Sequence, residues 1–244
     1  MRPVGIASSV PEAGITVVTI DFPPVNAVPA RGWFDLASTL DDAGRSPSTR
    51  VVVLRAAGRG FCAGVDLKEL QGSREALIEV NRGCHAAFGA VYDCPVPVIA
   101  AVHGFCLGGG IGLVGNADIV IASDDATFGL PEVDRGALGA ATHLSRLVPH
   151  HLMRALYYTA TTIPAATLHQ HGSVYRTVPH DQLDAAALDL ARAIAAKDPL
   201  VIRRAKEALN GIDPIDVHRS YRFEQGFTFE LNLSGVSDEL RKGF

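Results

Sequence analysis

Apolar residues follow two rhythms along this chain. The run Val98–Val102 (VIAAV) has the Val, Ile and Ala content of a strand buried on both faces, Val51–Arg55 is similar, and Gly14–Ile20 alternates moderately as a further strand. Between these runs the spacing turns helical. An amphipathic helix is predicted around Trp33–Leu40, after the PPVNAV turn at Pro23–Val28. A longer one, from roughly Ser73 to Tyr92, returns through Pro95 to the Val98 strand. Strands alternate with helices as right-handed crossovers demand, so the predicted class is α/β. Ile163–His171 reads as helix and Val174–Val178 as a last strand before Pro179. Beyond it Leu183, Ala186, Ala187, Leu190 and Ile194 share one helical face, and Pro199 and Pro214 break the remainder into two further helices. The expected organisation is a core over 1–180 and a helical subdomain over 181–244. Tyr221, Phe223, Phe227, Phe229 and Leu231 give this tail more aromatic surface than three short helices can bury, which predicts packing on a neighbouring subunit.

The chain turns on Pro97–Glu132, PVIAAVHGFCLGGGIGLVGNADIVIASDDATFGLPE, which reads as strand, glycine-rich bend, short helix, strand and loop. Gly104, Gly108, Gly109, Gly110 and Gly112 crowd into nine residues. A strand-to-helix junction without side chains lets a ligand reach bare N–H groups at an electropositive helix start, whereas tight backbone packing alone would need only one or two glycines. No Lys-Ser/Thr pair follows, which excludes a P-loop. Gly110–Gly115 (GIGLVG) matches G-x-G-x-x-G, but HGFCLGG separates it from the strand and the following helix is too short for a dinucleotide crossover. A nicotinamide oxidoreductase is therefore the outsider. The bend instead suits half of an oxyanion hole. Gly58–Glu69 (GRGFCAGVDLKE) supplies a second glycine-containing junction, with a helix predicted to begin near Asp66.

Composition narrows the partners. The 244 residues carry a formal charge of −4 and 48% hydrophobic residues, with no apolar run of spanning length. Neither nucleic acid nor a membrane is an expected partner. Four cysteines without a CxxC, and an opening MRPVGIASSVPEAG without the basic start and apolar core of a signal peptide, make a reducing cytoplasm the expected compartment. No G-x-S-x-G elbow occurs. His150–His151 and His169/His171 point to different sides of a helix, so no metal site is expected. Cys62 and Cys106 have no sequence-adjacent base and read as small buried residues. Glu132 follows a buried strand, where α/β sheets carry reactive groups; an exposed surface carboxylate is the alternative, and Asp134 competes for any role.

GFCAGVDLKE (Gly60–Glu69), PVIAAVHGFCLGGG (Pro97–Gly110) and ATFGLPEVDRGALG (Ala126–Gly139) together resemble the crotonase, or enoyl-CoA hydratase and isomerase, superfamily along the whole chain. The resemblance implies a ββα spiral with a C-terminal helical region that makes trimers, often paired into hexamers. It implies an acyl-CoA thioester substrate, with CoA as part of that substrate and no separate cofactor. The family's oxyanion hole falls on the N–H groups of Val65 and Gly109. Its CoA groove falls on Val25, Ala27, Ala63, Val65 and Lys68, and a cation at Lys68 suits a phosphate.

The family's hydratases use two glutamates. Glu132 matches the second, while the first falls on Gly112. One missing carboxylate should cost hydration orders of magnitude. Gly112, with Gly136, Ala137 and the small residues up to Ala141, is expected to enlarge the acyl pocket. Within the superfamily the chain looks closest to members that hydrolytically open a ring of a bicyclic keto-acyl-CoA in steroid breakdown, with Glu132 activating water. An enoyl-CoA hydratase or isomerase and a non-catalytic acyl-CoA-binding protein are the alternatives. A role for Asp134 or Arg135 stays open.

Overall fold

The computed structural model describes residues 4–70 and 74–242. Strands β1 (Gly5–Glu12), β2 (Ile15–Asp21) and β3 (Ala27–Val28) lead to helix α1 (Ala30–Arg45); β4 (Val51–Ala56) and β5 (Gly64–Val65) lead to α2 (Arg74–Tyr92). Next come β6 (Val98–Val102), β7 (Phe105–Leu107) and α3 (Gly109–Val114), then β8 (Ile119–Ser123), β9 (Thr127–Gly129), a 3₁₀ turn (Pro131–Arg135), α4 (Ala141–Leu144) and α5 (His150–Thr159). Finally β10 (Thr162–Pro164), α6 (Ala165–Gln170) and β11 (Arg176–Val178) precede α7 (Leu183–Ala195), α8 (Pro199–Gly211), α9 (Val217–Leu233) and α10 (Val236–Arg241).

A repeat organises this order. A long strand enters the six-stranded sheet β1-β2-β4-β6-β8-β11, a short strand leaves it, and a helix closes the turn. The first pair of the large sheet, β1 and β2, is antiparallel; the others are parallel. The short strands pair with one another, β3 with β5 and β7 with β9, and a parallel bridge between Cys62 and Cys106 connects the two groups. Beads of one face alternate with those of the other. Val18, Val52, Leu54, Ala100 and Val102 face the main core, whereas Val17, Val51, Val53, Ile99 and Ala101 face α7. Both faces are covered, which is why these strands read as continuous apolar runs.

Several boundaries differ from expectation. The predicted α2 start at Ser73 and the first three residues of the chain lie outside the described residues. No helix begins near Asp66: its Oδ1 accepts the Lys68 N–H at 3.0 Å and its carbonyl the Glu69 N–H at 3.2 Å, so 66–70 closes as turns. β10 takes the first residues of the predicted Ile163 helix because Ile163 pairs with Phe128. The described part of 181–244 is helical, except that His180–Gln182 and the connections are not α-helix. Its first helix, α7, seals the back of the large sheet, while α9 lies against α2 and α4. Tyr221, expected at a subunit contact, is 6% exposed and stacks on His85 and tilts against Phe88 within this chain. Phe223 and Phe227 remain exposed as an edge-to-face pair.

Candidate active site

Val65, Gly109 and Glu132 stand at or just beyond the ends of β5, β7 and β9, equivalent places in successive turns of the repeat. Parallel pairing of the short strands therefore stacks them. A Cβ on Gly64 would lie 3.4 Å from the Gly109 nitrogen. The Asp66 N–H donates to Val28 O at 3.0 Å, and successive N–H groups of an extended strand point opposite ways, so that of Val65 is turned from β3. Gly109 opens α3, where the first N–H groups have no intrahelical acceptor. Its missing side chain makes room for the Trp33 indole, while Gly108, at φ +56°, lets Glu132 Oε1 come within 2.5 Å of where a Cβ would stand.

These residues border one cleft, whose lining includes Ala63, Val65, Gly109, Glu132, Arg135 and Ala137. Glu132 Oε2 is shielded from water and has no hydrogen-bond partner. Desolvation pushes its pKa up to about 8, against the pull of its own backbone N–H and the Arg135 guanidinium; Glu224 adds a push in the same direction as burial. The result is a carboxyl group able to gain and lose a proton near neutral pH.

Two predicted pocket residues do not line the cleft. The Phe88 ring already fills the space over Gly112, so the absent glutamate has been replaced by an aromatic plug rather than by open volume. Gly136 is backed by α10: a Cβ there would lie 2.7 Å from Ser237 Cα. The residues expected to form a CoA groove come together in part. Ala27 pairs with Gly64 and the Ala63 N–H donates to Asn26 O at 3.1 Å, while Val25 lies in the turn just before β3. Lys68 is exposed on the turn beyond β5, and Asp134 is exposed outside the cleft.

The remaining candidates have local explanations. Burial pushes the Cys62 thiol up to about 12 and Cys106 well above its usual value, so neither is a ready thiolate. His150 Nε2 accepts from Arg154 at 2.9 Å, and His169 Nδ1 donates to Val174 O at 2.8 Å. Among the described residues no three His, Cys, Asp or Glu side chains gather as metal ligands, and no helix is long and apolar enough to cross a membrane. GIGLVG lies largely inside the six-residue α3 and not at a strand end.

Sequence reasoning missed the wall facing Glu132. Glu224, on α9, accepts from Ala141 N at 2.8 Å and from Thr142 N and Oγ1 at 3.2 Å, and Tyr157 OH donates to it at 3.4 Å. Thr228 bonds both the N–H and the carbonyl of Leu138. The stretch 138–142 is thus clamped by one stripe of α9. The available signal was Tyr221, Glu224, Gln225 and Thr228 at i, i+3, i+4 and i+7, a polar stripe on an otherwise aromatic segment.

The enoyl-CoA hydratase/isomerase family profile matches residues 11–225. The chain is 66% identical over 242 residues to the (7aS)-7a-methyl-1,5-dioxo-2,3,5,6,7,7a-hexahydro-1H-indene-carboxyl-CoA hydrolase of Rhodococcus jostii, covering 98% of this chain and 94% of that protein. It is also 66% identical to the Mycobacterium tuberculosis hydrolase of the same name, covering 98% of each. A crystal structure of an enoyl-CoA hydratase/isomerase from Xanthobacter autotrophicus superposes with a TM-score of 0.86 at 29% identity, over 93% of this chain and 86% of that one. The fold expected from the motifs is the one observed.

Proposed function

Since the chain belongs to the enoyl-CoA hydratase/isomerase family, we propose that it is an acyl-CoA hydrolase that opens a carbocycle of a bicyclic dioxo-indene-carboxyl-CoA thioester by C–C cleavage. The carrying observation is that Glu132, whose buried Oε2 has no hydrogen-bond partner, is the one carboxylate among the described lining residues of the cleft it shares with Val65 and Gly109. Hydration by paired carboxylates finds no second acid among the described lining residues, and Phe88 fills the space over Gly112.

The chemistry follows from one acid and two amides. Ionised Glu132 takes a proton from water as its oxygen bonds to a ring carbonyl carbon. The ring C–C bond then breaks, and its electron pair passes into the carbon framework conjugated with the thioester. The N–H groups of Val65 and Gly109 hold the thioester oxygen that receives this charge. Glu132 returns its proton to carbon, and the new carboxylic acid releases one to solvent. The groove of Val25, Ala27 and Ala63 takes the CoA arm, with Lys68 beside its phosphates.

The test is mass spectrometry of products from cyclic keto-acyl-CoA and enoyl-CoA thioesters in heavy-oxygen water. Ring opening places one heavy oxygen in a new carboxylate. Addition of water to an enoyl-CoA without ring cleavage would refute the proposal, as would tight CoA binding with no turnover. The exposed Phe223–Phe227 pair supports assembly as a trimer or hexamer, which light scattering of the purified protein decides.

A further inference from the structure

Two guanidinium side chains line the acyl cleft, one from each of two segments remote in sequence. Among its described lining residues the charged side chains are Glu132, Arg135 and Arg241. Arg135 is three residues after Glu132 in a 3₁₀ turn, where side chains at i and i+3 eclipse, so both face the same space. Arg241 arrives from the opposite end of the described chain. Gly136, left-handed at φ +63° and without a side chain, lets Ser237 close on it, and Ser237 Oγ donates to Gly136 O. Arg241 is four residues beyond Ser237 on the same face of α10, so the contact that docks the helix also brings the guanidinium to the cleft that Arg135 lines.

Arg241 is bound but weakly neutralised. Its Nη2 donates to Asn232 Oδ1 at 2.6 Å, and its side chain is 13% exposed. Its acidic neighbour, Asp238, is 3.9 Å away and mostly in solvent, a geometry that compensates little charge. A guanidinium held in this way is suited to a planar anion with two oxygens.

We propose that Arg135 and Arg241 form an anion subsite in the acyl cleft, which binds the oxygens of the attacked ring carbonyl. It holds them first as the tetrahedral oxyanion and then as the product carboxylate. The proposal deepens the ring-opening reading and rests on it. The two oxyanion sites divide the work: backbone N–H groups at the thioester, side-chain cations at the ketone. Addition of water converts C=O into an oxyanion, and cleavage of the ring bond turns the same carbon into a carboxylate, so one pair of cations meets both charges.

The test compares calorimetric binding of the ring-opened product as its free acid and as its methyl ester, to the wild type and to Arg241→Gln and Arg241→Lys. The expected result is roughly ten- to hundredfold weaker binding of the acid by Arg241→Gln, the scale of one charge-assisted hydrogen bond, with the ester unchanged. Arg241→Lys, which keeps the charge but loses the fork, should recover part of the loss. Unchanged ester binding also establishes that each variant is folded. If the wild type opens the ring and Arg241→Gln keeps the wild-type ratio of acid to ester affinity, the subsite is refuted while the ring-opening reading stands. If the wild type neither opens the ring nor binds the acid, both are refuted.

Discussion

The ring of Phe88 lies directly over the Cα of Gly112, where a hydratase of this family would carry its first glutamate. Gly112→Glu therefore collides with a fully packed aromatic side chain instead of restoring a catalytic pair. The expected result is a loss of about 1–3 kcal/mol of stability and no gain in enoyl-CoA hydration, measured by urea denaturation and by loss of the conjugated thioester absorbance. Hydration gained by the single substitution would show that the plug yields.

Burial raises the pKa of Glu132 to about 8 in the folded chain, from the ordinary carboxylate value of 4.5. Between those values the folded state holds a proton that the unfolded state has released, so this group's contribution to stability is present below about 4.5 and is lost as pH rises through 8. Glu132→Gln should remove that slope and leave the protein more stable than wild type at pH 8.5, by on the order of 1–3 kcal/mol. Glu224 is shifted in the same direction, so some slope survives. Denaturation midpoints across the pH range check this.

Catalysis should run the other way. Water activation needs the ionised carboxylate, so kcat/KM should climb with pH toward a plateau above about 8, and Glu132→Gln should lower the rate by roughly 10²–10⁴ and abolish that limb. A rate profile flat from pH 6 to 9 would reassign the base. Gly108→Ala, which sets a methyl 2.5 Å from Glu132 Oε1 at a left-handed backbone position, should impair the same step.

Glu224 accepts three hydrogen bonds from Ala141 and Thr142. Glu224→Ala leaves two partly buried N–H groups without partners, at a cost of about 1–3 kcal/mol, and loosens the wall at 138–142. A rise in KM for a bulky thioester, larger than the rise for a linear one, is the expected kinetic signature.

Lys206 is 4% exposed, and its ammonium contacts both oxygens of Asp118 at 2.7 and 2.8 Å; Asp118 also accepts the Val98 N–H at 2.8 Å. Lys206→Met strands a partly buried carboxylate at the head of β6 and should destabilise by about 1–3 kcal/mol, less than a fully buried pair because Asp118 keeps access to water and the Val98 N–H. The double substitution with Asp118→Asn should recover part of that loss in a denaturation cycle.

Much of this was legible in local patterns, and the limits have physical causes. The Val98–Val102 strand coincides with β6 because a strand covered on both faces shows its burial in every residue. The convergence of Gly58–Glu69 with the glycine-rich bend was also readable, since each follows a sheet strand. What failed was the inference from a missing side chain to empty space. Gly112 looked like an opening and Gly136 like its extension, yet Phe88 and Ser237 occupy those places from segments remote in sequence. Tyr221 looked like surplus aromatic surface because its partners, His85 and Phe88, lie on α2. The polar stripe of α9 shows that one face is engaged, but the spacing within a segment does not name the remote segment that packs on it.

The cleft draws its lining from Ala63 at one end and Arg241 at the other. Joining such remote segments is slow, so the large sheet and its apolar filling can form before the cleft is closed. Ligand binding then reports completion of the final docking step and not mere compaction, and a tight-binding thioester analogue should raise the unfolding midpoint in proportion to the logarithm of its concentration.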